Sequence, residues 1–83
     1  TINIILSLNN IGETNLEQGK IDAALREVSR AHDIAVQISN PEMMVLTTHT
    51  LGVVYERLDS TLLAVGKFEE ALGLSRQNGY GTS

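Results

Sequence analysis

The sequence predicts an all-α protein of four helices, folded back on one another as antiparallel hairpins, and three observations lead there. Apolar residues recur at three- and four-residue spacing in four successive segments, the pattern of a helix with one covered face. No run alternates with period two long enough to make a strand. The small residues of the first helix pair return in the second after forty positions, as they would in a repeated hairpin.

In the first segment, Ile4, Ile5, Leu8, Ile11 and Leu16 mark a helix from Ile2 to about Glu17, which Gly19-Lys20 interrupts. Ala24, Leu25, Val28, Ala31, Ile34, Ala35 and Ile38 mark the second, from Ile21 to Ile38, ended by Ser39-Asn40-Pro41. Pro41 turns Asn40 away from helical geometry yet suits the first turn of a new helix, and Asn40 suits its N-cap. The third helix carries Met44, Val45, Leu51, Val54, Tyr55 and Leu58 and stops at Asp59-Ser60. Ser60 suits the N-cap of a fourth, from about Thr61 to Gln77, with Asn78-Gly79 as its stop.

Composition narrows the function classes. The chain has 83 residues, 42% of them hydrophobic, enough for one small core near the lower limit of self-sufficiency. It has no cysteine, which removes disulfides and thiolate metal sites. Ten acidic residues outweigh six basic ones, and the cations Lys20, Arg26, Arg30, Arg57, Lys67 and Arg76 are scattered, so there is no electrostatic footprint for nucleic acid. The opening TINIILSL is too short to span a membrane and lacks the flanks of a signal peptide. A soluble, cytoplasmic protein is expected.

A shift of forty residues places Gly12 on Gly52, Ala24 on Ala64, Ala31 on Ala71 and Gln37 on Gln77. Bulky residues follow the same register: Ile11 on Leu51, Leu25 on Val65, Val28 on Phe68 and Ile34 on Leu74. A glycine in a helix interior is unfavourable by roughly 1 kcal/mol relative to alanine, so one that is kept there implies close packing. Where two helix backbones cross, only Gly or Ala fits. Gly52 is therefore expected to face Ala64, and Gly12 to face Ala24.

These residues resemble the tetratricopeptide repeat (TPR), whose pattern sets a bulky residue, Leu-Gly, Tyr, a turn Gly, Ala, a bulky or aromatic residue and a second Ala at fixed offsets. Repeat one, about 1–40, supplies Leu8, Ile11-Gly12, Asn15 in the tyrosine place, Gly19, Ala24, Val28 and Ala31. Repeat two, about 41–80, supplies Leu51-Gly52, Tyr55, Ala64, Phe68 and Ala71, with Asp59 in the place of the turn glycine and Thr48 in that of the first bulky residue. The forty-residue spacing departs from the usual period of about 34 and lengthens the helices by roughly one to two turns. Long-helix variants of this kind look similar to arrays in bacterial signalling and regulatory proteins. HEAT and armadillo arrays, with periods of about 40 to 47, suit the spacing better but not the small-residue register. The resemblance implies an α-α superhelix, a solenoid of helical hairpins.

Solenoid repeats bury their apolar faces against neighbours, and about three or more are normally needed, with polar caps. Here Ile2, Ile4, Ile5 and Leu6 open the first helix, and Leu62, Leu63, Val65, Leu72 and Leu74 crowd the last, so neither end reads as a cap. Tyr80-Gly81-Thr82-Ser83 falls where a further repeat would begin. Either a longer array or pairing with another copy is expected.

In the resembling family the first helix of each pair lines the concave surface. That implies partner-facing positions at Asn9, Glu13, Leu16 and Glu17 in repeat one, and at His49, Val53, Glu56 and Arg57 in repeat two. Asn9, Glu13 and Leu16 share one helix face at i, i+4 and i+7. The set leans acidic, and Glu13 stands where a carboxylate-clamping relative would carry asparagine, which favours an extended peptide or helix of some basic character. The competing reading is a merely solvated face, the norm for exposed charges.

Candidate chemistry is sparse. His32 and Asp33 are adjacent on a helix and point about 100° apart, so they read as a surface pair. His49 with Glu13 would give two metal ligands without a third. Ser29, Ser75, Thr47, Thr48 and Thr50 have no histidine placed as an activating base, and the threonines are expected to pack or bond back to the helix backbone. Gly66 and Gly73 belong to no phosphate-binding loop. Met43, Met44, Tyr55 and Phe68 read as packing. No catalytic residue, metal or cofactor is expected. The function expected is a non-enzymatic protein-binding module, possessing regulatory output through domains outside the chain; the alternative is a self-assembly segment with no separate ligand, acting through ends that include Leu72 and Leu74.

Overall fold

The computed structural model describes residues 1–77. It is all-α, with α1 Ile2–Glu17, α2 Ile21–Gln37, α3 Pro41–Arg57 and α4 Thr61–Gln77, and no strand occurs among the described residues. The helix limits fall within one residue of those read from the sequence. The stop expected at Asn78-Gly79 and the further repeat expected from Tyr80 lie outside the described residues.

Each connection ends its helix in the same way. Gly19, Ser39 and Asp59 adopt left-handed φ values of 79°, 53° and 59°. Their amides donate back to the carbonyls of Leu16, Val36 and Glu56 at 3.0–3.1 Å. The amides that follow, of Lys20, Asn40 and Ser60, donate to Asn15, Ala35 and Tyr55 at 2.8–3.1 Å. This pair of bonds is the Schellman motif, which satisfies carbonyls left over at a helix end. The connections therefore repeat every twenty residues, at 19, 39 and 59, half the period visible in the side chains. At α3 the Asn40 Oδ1 accepts from the Met43 amide at 3.1 Å, with Pro41 at the first helical position. The Ser60 carbonyl accepts the first helical bond of the next element, from the Ala64 amide at 2.9 Å.

Such short connections return each helix against its predecessor. α1 packs on α2, α2 on α3 and α3 on α4, and α1 also touches α3. No α-carbon of α2 or α1 comes within 8 Å of one in α4. The core has two buried clusters. Ile5, Leu8, Ala31, Ala35 and Met43 form one; Leu16, Ala24, Val28, Leu51 and Val54 form the other. Half-buried Met44 packs on the first cluster and Tyr55 on the second. α3 contributes to both clusters, and full burial of each aliphatic side chain is worth roughly 1.5–3 kcal/mol. Helix α4 buries only Ala64 and Ala71 fully, and leaves Leu62 88% exposed.

Both motif glycines are buried, as close packing requires, but the expected partner needs correction at Gly52 and is joined by a nearer one at Gly12. A Cβ on Gly52 would meet the Phe68 ring, 2.6 Å from Cε1, rather than Ala64. A Cβ on Gly12 would overlap Val28 Cγ2, with the Ala24 carbonyl oxygen next at 3.4 Å. The bulky side chain one turn beyond each alanine fills the hollow that the missing Cβ leaves. Val28 and Phe68 stand forty residues apart, so the correction preserves the register.

Candidate functional site

The eight positions expected to face a partner do not form one surface. Asn9 is 2% exposed and Leu16 is 4% exposed, the latter packed in the cluster of Ala24, Val28, Leu51 and Val54. Neither is available to a partner, because the crossing of α1 with its neighbours covers the side of α1 on which both lie. Asn9 donates through Nδ2 to Glu13 Oε1 at 3.2 Å, while its buried Oδ1 has no partner. Glu13 and Glu17 on α1, and Glu56 and Arg57 on α3, are exposed; Val53 is half-buried against the second core cluster. Since α1 and α3 touch directly, these exposed charges belong to adjoining helices.

His49 is exposed but belongs to a different feature. Its ring stands 5.2 Å from that of Phe68, tilted by 52°, at the wall of a groove between α3 and α4. The groove encloses about 910 Å³ and is mainly apolar, with Met43, Val45 and Leu46 on the α3 side and Phe68 and Leu72 on the α4 side. Glu42 and Ser75 add polar edges. Leu72 is 51% exposed there. The groove is open because Ala71, the buried α4 residue in its lining, is too small to cover the apolar side chains of α3 beside it. Sequence reasoning missed it as a site. The signal was available in the register: Val45, Phe68 and Ala71 are the forty-residue counterparts of Ile5, Val28 and Ala31, which are fully buried.

Polar side chains do converge between α2 and α3, in a structural arrangement. The hydroxyl of Thr47 donates to the Met43 carbonyl at 2.9 Å. Its oxygen also lies 2.9 Å from His32 Nδ1, a hydrogen bond whose direction follows the tautomer of the ring. Thr48 lies 3.5 Å from the same nitrogen, and Thr50 donates to the Leu46 carbonyl at 3.0 Å. Thr47 and Thr50 thus bond to backbone as the sequence suggested and Thr48 packs out of solvent beside the ring, whereas His32 is half-buried against α3 and not a surface partner of Asp33. Burial pushes the His32 pKa below its ordinary value of 6.5; Lys67 acts in the same direction, and Glu70 and Asp33 oppose it.

No group of three or more His, Asp or Glu residues is placed to hold a metal ion among the described residues. None of the described helices is long and apolar enough to cross a membrane. No family model, no characterised protein and no solved structure matches this chain.

Proposed function

We propose that the chain is a non-enzymatic protein-interaction module of the tetratricopeptide kind, a segment of an α-α superhelix that receives a basic peptide or helix on the face shared by α1 and α3. The observation that carries this reading is the contact of α1 with α3 while α2 and α4 stay apart, since helices closer on one side than on the other curve the array towards the closer pair. The two helices of that pair expose Glu13, Glu17 and Glu56, with Arg57 the one opposing charge among the expected positions. Acidic side chains on two adjoining rods suit a ligand carrying lysine or arginine. The polar groups that meet between α2 and α3 bind the helices together, which suits a scaffold better than an enzyme. The setting proposed is the cytoplasm, as the regulatory part of a larger bacterial signalling protein. Neither nucleic acid nor a cofactor has a role in this reading.

The test is titration of the isotope-labelled chain with lysine- and arginine-rich peptides, followed by amide chemical shifts. Shifts should concentrate at Glu13, Glu17, Val53, Glu56 and Arg57, weaken as salt is raised, and vanish in the double variant Glu13→Lys/Glu56→Lys. Peptide binding that ignores this double variant would overturn the reading. Self-association is the second reading, and the observation that favours it is the uncovered apolar groove between α3 and α4.

A further inference from the structure

We infer that the α3/α4 groove is a seat for α1 of a second copy of this chain, so that copies stack head to tail. This rests on the helical-array reading and assigns the surfaces, the polarity and the register of self-association.

The seat is already occupied once within the molecule. Ile5, Ala31 and Ala35 on the α1/α2 pair receive Met43 of α3, and Val28 receives Leu51 and Val54. Forty residues on, the α3/α4 pair presents Val45, Phe68, Ala71 and Ser75 in the same order, and these line the open groove. The wall is therefore duplicated, and among the described helices none lies on its second instance.

The plug is duplicated as well. α3 enters the first seat with Met43, Thr47, Thr50, Leu51 and Val54, all buried. Their counterparts forty residues earlier are Asn3, Ser7, Asn10, Ile11 and Thr14, and every one of them is exposed on α1. Leu6, the counterpart of Leu46, is exposed too. The open face of α1 keeps the small polar groups of the covered face of α3 at Ser7 and Asn10 and an aliphatic one at Ile11, while Asn3 and Thr14 stand for Met43 and Val54; Ile11 is 47% exposed where Leu51 is buried. None of these six α1 residues is charged, so docking sets no carboxylate against Glu42 at the groove edge. His49 is the counterpart of buried Asn9 and would be covered by the incoming helix.

A plug at one end and a seat at the other form a heterologous contact, which continues from copy to copy unless the rotation closes a ring. The test is sedimentation velocity of the 83-residue chain over a wide concentration range. The expected result is a mass that grows beyond two copies. Ile11→Arg, which blocks the plug, and Leu72→Arg, which blocks the seat, should each be monomeric with unchanged helical circular dichroism. Mixed in equal amounts they should form a pair and nothing larger, because one intact plug meets one intact seat. If either variant unfolds, Ser7→Arg and His49→Glu, at exposed positions on the same two surfaces, replace them. A wild-type chain that stays monomeric at millimolar concentration would overturn the inference, as would association that survives Ile11→Arg, the sign of groove-to-groove pairing. Glu13 and Glu56 are not among the residues assigned to the plug or the seat, and peptide binding is read by its own variant, Glu13→Lys/Glu56→Lys, so the two proposals fail separately.

Discussion

The ring of Phe68 lies across the backbone of Gly52, so close that a Cβ at position 52 would sit 2.6 Å from Cε1 and 2.8 Å from Cδ1. This contact joins α3 to α4, where the fully buried side chains of α4 are only two alanines. Gly52→Ala gains roughly 1 kcal/mol of helix propensity but forces the ring aside, and overpacking of this kind is unfavourable by about 1–3 kcal/mol. A net loss of about 1 kcal/mol is expected in urea unfolding followed by circular dichroism. Adding Phe68→Leu should remove the overpacking, so the double variant is expected to be more stable than the sum of the two single effects; strict additivity would show that Gly52 does not pack on the ring.

Gly66 and Gly73 provide the contrast. A Cβ at either position meets nothing within 4 Å. Alanine there keeps the propensity gain without a clash, and each substitution should stabilise the chain by roughly 1 kcal/mol. A loss of thermal stability at either site would mean that the open side of α4 is covered in solution.

The left-handed connections predict gains from glycine. A left-handed conformation is unfavourable by roughly 1–2 kcal/mol for an ordinary residue, and glycine escapes this at the expense of unfolded-state entropy. Ser39→Gly should stabilise by about 0.5–1 kcal/mol, and Asp59→Gly by less, because aspartate tolerates this conformation better. At the other end of the same connection, Asn40→Ala removes the bond to the Met43 amide and should lose about 1 kcal/mol. Thermal midpoints of the three variants check the order.

His32 makes stability depend on pH. Its pKa in the folded chain is depressed, chiefly by burial, so the unfolded chain binds its proton first as pH falls. The stability contributed by the neutral ring is fully present above the unfolded value of 6.5 and is lost as pH drops through the lower folded value. The thermal midpoint should therefore fall from neutral into mildly acid pH, and His32→Gln should flatten that part of the profile. An unchanged slope in the variant would assign the effect to other groups.

Unequal burial predicts unequal opening. α3 contributes to both core clusters, whereas α4 has α-carbons within 8 Å of α3 and of no other helix. Amide exchange should be fastest along α4 and slowest near Val54, Thr47 and Val28, which are fully buried. Uniform protection across the four helices would contradict this gradient.

The sequence by itself determined the helices and their limits. Asn40-Pro41 starts α3 and Gly19 ends α1 through bonds within a few residues, and the apolar spacing marks the covered face of each helix. It also showed that Gly12 and Gly52 must lie against something. The tertiary structure alone decided what that something is, setting Phe68 in place of Ala64 at Gly52 and Val28 ahead of the Ala24 backbone at Gly12. It also withdrew Asn9 and Leu16 from the proposed surface and drew His32 against Thr47. Helix limits follow from hydrogen bonds to near neighbours, which residue types report directly. Burial depends on how whole helices cross, and a face such as that of Val45 and Leu72 is core or surface according to whether another helix lies on it.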